Sequence, residues 1–298
     1  MVKKRSLIWL LLITALIGLS GCATQFSSLP PTPPGIGLTS LPTFSPPTPT
    51  PIEPTPTPWV FPSGLVIEEH PLRHPPAIEP LFFEPLAGTY DQIMARHASL
   101  RMDVVHHNTF FDPQDHAFGM WTLWQGQRLE VVTKINPANE VMAEVRMGNQ
   151  VIYTLPLGQP GVLSQVHGVW TQEDTWVAEL VHLSCSSVRI GEVQSVECQP
   201  RGLIIQNGEI LNERFGYEEA FDFQWLSGKP FYFFQKTGQI GIRYHDQEVW
   251  LGYDEIPHYK CCSAGELNPL HATAMIAFFA RRGEQWYYVE AGLFDSSP

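Results

Sequence analysis

Residues 221–235 read F-D-F-Q-W-L-S-G-K-P-F-Y-F-F-Q. Two aromatic-rich runs flank Ser227-Gly228-Lys229. Aromatics suit a pleated, half-buried surface and glycine supplies a tight-turn backbone, so the stretch reads as a β-hairpin. The form recurs in A-F-F-A-R-R-G-E-Q-W-Y-Y-V-E (277–290), in V-W-T-Q-E-D-T-W-V-A-E (169–179) and, more weakly, in W-T-L-W-Q-G-Q-R-L-E-V-V (121–132). The turns fall at Gly126, Asp174, Gly228 and Gly283, spaced 48, 54 and 55 residues apart. Three of them are preceded by a polar turn that leads into an alternating strand: G-N-Q-V-I-Y-T-L from Gly148, N-G-E-I-L-N-E-R-F from Asn207 and H-D-Q-E-V-W-L from His245. G-Y-E-E-A at Gly216 and G-Y-D-E-I at Gly252 repeat as well. A period of about 50 residues with several short strands per unit predicts an all-β, propeller-like array of about four to five blades. Closing such a ring protects sheet edges. With neither a paired-glycine element nor a Trp-Asp dipeptide in frame, an irregular β-sandwich is the alternative.

The 298 residues carry a formal charge of −12, which becomes −15 if Lys3, Lys4 and Arg5 leave with a leader. A surface this acidic argues against nucleic acid and against lying flat on anionic lipid.

The leader has a basic start, an apolar segment from Leu7 to Leu19, and the ending Leu19-Ser20-Gly21-Cys22. Basic start, short apolar core and small residues make a secretory signal over residues 1–21. The L-S-G-C ending resembles the lipobox of bacterial lipoproteins, a resemblance confined to these 22 residues. It implies diacylglyceryl transfer to the Cys22 thiol, cleavage before Cys22 and acylation of the new amino terminus, with palmitate as a typical chain. Several acyl chains give durable anchoring. An uncleaved membrane helix is the alternative, but the apolar segment is short for a span of about 20 residues. Ala23 is not the aspartate that holds lipoproteins of that family at the inner membrane. The expected location is therefore the cell membrane or outer membrane, with the domain outside the cytoplasm.

Residues 23–62 hold 13 Pro, 8 Thr and 4 Ser, with Glu53 the only charge. Proline lacks the donor that a strand ladder needs, and so polar a stretch buries no core. Residues 22–62 thus read as a lipidated cysteine and an extended stalk, and residues 63–298 as a single domain, expected to be a monomer. Residues 63–116 look like an irregular lead-in that wraps the domain, with one short helix expected within 90–105.

Outside the cytoplasm the remaining four cysteines, Cys185, Cys198, Cys261 and Cys262, suggest two disulfides in one of three connectivities. From polar turn to next hairpin turn the three intervals are 25, 20 and 37 residues, so the last repeat carries an insertion. It contains P-H-Y-K-C-C-S-A-G-E-L-N-P-L-H, residues 257–271. Extra loops on a rigid scaffold are where function tends to sit. His258, Tyr259, Cys261, Cys262 and His271 are therefore the candidate ligand loop. A Cys261–Cys262 ring would be strained, and strain of that kind collects at functional sites. Metal binding by this set fits poorly, because zinc sites use C-x₂₋₄-C spacing. His106, His107, Asp112, Asp115 and His116 match no metal motif either, and read as loop residues. Glu218-Glu219 with Asp222, and Asp254-Glu255, offer paired carboxylates for acid/base chemistry. Their recurrence at one repeat position favours a turn role.

No nucleophile and base stand at motif spacing, and the sequence implies no cofactor. The reading is a surface lipoprotein that binds an extracellular protein or glycan without catalysis. A glycan hydrolase using the repeated carboxylates and a structural envelope component are the alternatives.

Overall fold

The computed structural model describes residues 59–76, 108–112, 117–158, 165–190, 193–259 and 268–294. The chain enters with β1 (Trp59–Val60) and β2 (Val66–Pro71). A first sheet follows as a meander of β3 (Asn108–Asp112), β4 (Ala117–Trp124), β5 (Gln127–Ile135), β6 (Val141–Met147) and β7 (Gln150–Gly158). The second sheet is β8 (Gln165–Gln172), β9 (Thr175–Ile190), β10 (Val193–Gln206) and β11 (Glu209–Ile210), followed by helix α1 (Leu211–Phe215). The third is β12 (Glu219–Leu226), β13 (Lys229–Lys236), β14 (Gln239–Tyr244) and β15 (Gln247–Trp250). The fourth, of β16 (Leu270–His271), β17 (Met275–Arg282) and β18 (Gln285–Gly292), is completed by β2 and β1 in the order β1-β2-β18-β17-β16.

The all-β expectation holds, with four antiparallel sheets among the described residues. Each repeat of the sequence is one sheet. The turns at Gly126, Asp174, Gly228 and Gly283 join β4–β5, β8–β9, β12–β13 and β17–β18. Gln125-Gly126 and Ser227-Gly228 both have positive φ at both turn residues, the conformation that matches strand twist and that glycine adopts without strain. The first three hairpin turns are laced together, the Gln125 amide donating to Asp174 at 3.2 Å and Gln172 to the Gly228 carbonyl at 2.9 Å, while the Ser227 N–H donates to the Thr273 carbonyl in the β16–β17 turn at 2.7 Å.

The second recurring feature forms the β6–β7, β10–β11 and β14–β15 turns. One part of it departs from expectation. N-G-E-I-L-N-E-R-F forms strand only over Glu209–Ile210 and then turns into α1. Gly216 ends the helix in the left-handed region at φ 69°, and the Tyr217 N–H returns to the Asn212 carbonyl. Asn212, buried, accepts from the Ile204 N–H at 3.1 Å and donates to the Gly202 carbonyl at 3.1 Å. Its side chain supplies the partners that a longer edge strand would have given.

Apolar clusters lie between successive sheets. Leu129, Val131, Ala143 and Val145 meet Val169, Trp176, Ala178 and Leu180 between the first and second. Val177 and Ile204 meet Phe223, Tyr232 and Phe234 between the second and third. Phe221, Phe231, Phe233 and Ile242 meet Ile67, Ile276, Phe278 and Val289 between the third and fourth. The aromatic stripes are thus core, as alternation predicts. The fourth sheet's other face has its own cluster of Leu72, Met275, Ala277, Phe279 and Tyr288. The first sheet's other face carries ion pairs, Lys134–Glu144 at 2.9 Å and Arg146–Glu144 at 2.8 Å.

The lead-in is sheet, not irregular chain, over Val66–Pro71, and sheet pairing starts at Trp59, before the expected domain boundary at 63. The helix expected within 90–105 lies outside the described residues.

Candidate functional site

Three carboxylates, three histidines and a tyrosine from three different sheets meet where the last repeat's insertion crosses the third sheet. Glu179 comes from β9, Glu219 and Asp222 from β12. His258 and Tyr259 follow β15, His271 ends β16, and His167 lies on β8.

The local cause is a bulge. β12 and β13 lose register between Phe221 and Gln224, and Asp222 takes a positive φ of 59°. The bulge turns the Asp222 and Phe223 N–H groups away from the ladder. Both donate instead to Glu179, to Oε1 at 2.8 Å and Oε2 at 2.7 Å. The Tyr259 hydroxyl also donates to Glu179 Oε1, and His167 Nε2 lies 3.9 Å from the same oxygen. Glu179 is fully buried. Burial pushes its carboxyl up, and His167 and the tyrosine and backbone donors draw it back. Burial, then the Glu179 charge, push the Tyr259 hydroxyl well up, so it stays a donor.

Glu219 Oε1 accepts from the Gly202 N–H at 2.8 Å and from His258 Nε2 at 3.1 Å. His258 Nδ1 donates to the Ile256 carbonyl at 2.6 Å, and its ring stacks on Phe221 with centroids 3.6 Å apart. His271 Nε2 donates to Asp222 Oδ1 at 3.1 Å, and its Nδ1 donates to Gln224 Oε1. Burial pulls the His271 pKa down, but Asp222, and Glu179 behind it, outweigh that and raise it above its ordinary value. Each of these two rings has both nitrogens against oxygen acceptors. Neither directs a lone pair outward, as a general base would. Gly202 permits this approach: a Cβ there would lie 2.8 Å from both Phe221 Cβ and Tyr259 Oη, and closer still to the Ala220 carbonyl.

The insertion is fastened again at its far end. Asn268 donates to the Pro257 carbonyl at 2.6 Å and accepts from the Phe279 N–H at 2.7 Å. Its side chain ties the two flanks of the loop to each other and to β17.

Of the expected ligand loop, His258, Tyr259 and His271 come together, joined by Glu219 and Asp222. Cys261 and Cys262 lie outside the described residues. Glu179 and His167 were not singled out from sequence. The usable signal was a carboxylate inside the apolar run W-V-A-E-L-V, where β9 is buried on both faces. Cys185 and Cys198 stand directly opposite each other in the β9–β10 register.

The repeated carboxylates have matching turn roles. Glu218 accepts from the Gly238 N–H at 3.3 Å, and Asp254 from the Gly283 N–H at 2.6 Å. The tyrosines of the same motif also match. Tyr217 donates to Glu248 at 2.6 Å beside Arg243, and Tyr253 donates to Glu69 at 2.5 Å beside Arg282. Burial pushes the Tyr217 hydroxyl up to about 12. Glu255 pairs with Arg281 at 3.2 Å. Of the histidine-rich loop, Asp112 lies 3.5 Å from Arg146, while His106, His107, Asp115 and His116 lie outside the described residues. Phe111 and Phe118, both exposed, meet on the first sheet with ring centroids 4.8 Å apart and planes tilted by 48°.

No family model, curated protein or solved structure matches the chain. Among the described residues no helix is long and apolar enough to cross a membrane, which says nothing of β-barrels.

Proposed function

We propose that the chain is a surface-anchored lipoprotein whose domain presents residues 257–271 as a non-catalytic recognition loop for an extracellular glycan or protein. The anchor rests on the basic start, the short apolar segment and the L-S-G-C ending at Cys22. The Pro/Thr stalk gives reach, at most about 3.1 Å per residue in extended form. The scaffold is a four-bladed, propeller-like array. One meander per sequence repeat, cores between successive sheets, and completion of the last sheet by an N-terminal strand all support it.

One observation carries the choice of a binder over a hydrolase. The carboxylates beside the loop are engaged internally: Glu179 by two backbone N–H groups and Tyr259, Glu219 by Gly202 and His258, and Asp222 through Oδ1 by His271, with its buried Oδ2 left without a hydrogen-bond partner. A glycan hydrolase needs one carboxyl as acid and a second free to act as nucleophile or base across the scissile bond. Here the charges hold the neck of a loop. A rigid neck limits the conformational entropy lost on binding.

The test uses full-length protein in detergent and a variant with residues 260–267 replaced by a Gly-Ser linker of equal length. Both are run by affinity electrophoresis against purified cell-wall polysaccharides, and probed against immobilised surface proteins of the same envelope. Retardation or capture that the linker variant loses while its melting temperature holds supports the reading. Release of reducing ends by the parent, or binding that survives the replacement, rejects it. Metabolic labelling with radiolabelled palmitate tests the anchor: label on the parent and none on Cys22→Ala is expected, and equal labelling would reject lipidation.

A further inference from the structure

The fourth sheet is closed by a strand from the other end of the chain. β2 pairs with β18 in the register Glu68↔Glu290 and His70↔Tyr288. Ile67, Val289 and Ala291 face the third sheet. Glu68, His70, Tyr288 and Glu290 therefore share the opposite face, since side chains alternate along a strand and cross-strand partners point the same way. That face is apolar around them, with Leu72, Met275, Ala277, Phe279 and Tyr288 in one cluster.

Glu68 and Glu290 stand directly opposite each other there, so their carboxyl groups share one small region of that face. Glu290 is fully buried, so its carboxyl group is held in place by the packing around it. His70 Nε2 lies 3.2 Å from Glu290 Oε2. One donor atom from each of Glu68, His70 and Glu290 lies within 4.8 Å of the other two. Two donors each about 2.1 Å from a single ion at tetrahedral angles lie about 3.4 Å apart, so the 3.2 Å His70–Glu290 contact, a hydrogen bond without an ion, needs little rearrangement to admit one.

We propose that Glu68, His70 and Glu290 form a binding site for a divalent first-row transition ion, with Zn²⁺ the best match. One imidazole nitrogen and two carboxylate oxygens suit a borderline ion. Calcium takes six to eight oxygen ligands and has no use for the imidazole. The paired strands fix the ligand positions before binding. The ion would join β2 to β18 at the seam where the segment leaving the stalk enters the sheet. Its role is to fasten the domain to its tether, and the site is independent of the loop reading above.

The test is calorimetric titration of EDTA-treated full-length protein with ZnCl₂, alongside the variants His70→Gln and Glu68→Gln, with circular dichroism as the folding control. The expected result is one Zn²⁺ per chain, a melting temperature that rises with Zn²⁺ and falls back with EDTA, and binding weakened at least about tenfold in each variant. Cobalt substitution separates this site from the cysteines. Visible bands without a thiolate-to-cobalt charge-transfer band are expected, and a thiolate band would overturn the assignment. Absence of saturable binding, or binding unchanged in both folded variants, would overturn it too.

Discussion

Replacing Glu179 with alanine strips the Asp222 and Phe223 N–H groups of their acceptors at a buried bulge. A buried donor left unpaired costs about 1–3 kcal/mol, so the loss is about 2–6 kcal/mol before the Tyr259 hydroxyl is counted. Against a domain stability of about 5–15 kcal/mol this is a large fraction. Glu179→Gln keeps one acceptor oxygen and turns an amide N–H₂ toward the other donor, so about half that loss is expected. The contrasting change is Glu209→Ala, which removes an exposed ion pair with Arg214 at 2.8 Å and should cost less than about 0.5 kcal/mol. Urea unfolding of the full chain, followed by tryptophan fluorescence, reads all three as midpoint shifts at constant slope. If Glu179→Gln falls with Glu209→Ala, the carboxylate is not holding the bulge and the reasoning fails.

Gly202→Ala should cost about 1–3 kcal/mol, because the new methyl meets the Ala220 backbone and the Tyr259 hydroxyl at once; a melting temperature equal to the parent's would count against the close approach of β10 and β12. Cys185 and Cys198 are cross-strand partners, and such Cα pairs, about 4.5–5.5 Å apart, lie within disulfide range. Non-reducing peptide mapping should find them joined, with loss of the bond costing about 3 kcal/mol; a bond from either to Cys261 or Cys262 would refute this pairing. The raised His271 pKa sets a pH dependence. Its stabilisation is full below the unfolded value of about 6.5 and is lost as pH rises through the folded value. Buried Glu179, also raised, acts in the same direction. Melting temperature should therefore fall as pH rises above neutrality, and His271→Gln should flatten that slope; an unchanged slope in the variant would contradict the assignment.

The hairpins at Gly126, Asp174, Gly228 and Gly283 were legible because turn chemistry and strand alternation are local. The completion of the fourth sheet was not. His70 meets Glu290 across 220 residues, and V-I-E-E-H-P carries too many charges and a proline to look like a strand. Two of its polar side chains meet partners from the far end of the chain: Arg282 and Tyr253 for Glu69, Glu290 for His70. The site was half legible. The interval of 37 residues exposed the insertion, and its histidines were singled out. Their carboxylate partners were read as turn formers, which holds for Glu218 and Asp254 and not for Glu219 or Asp222. Sequence spacing does not report a bulge, and the bulge at Asp222 is what turns that carboxylate toward His271.

In the proposed reading the charges beneath the loop are committed to one another and not poised for proton transfer. Long-range ¹H–¹⁵N correlation on full-length protein labelled at histidine nitrogen reads this directly at His271, assigned by comparison with His271→Gln. The expected result is a ring that keeps both nitrogen protons to higher pH than the ordinary histidine value of about 6.5, donating to Asp222 and Gln224. A neutral ring with an unprotonated nitrogen at that pH would contradict it, would reverse the Gln224 amide, and would return a general base to the site.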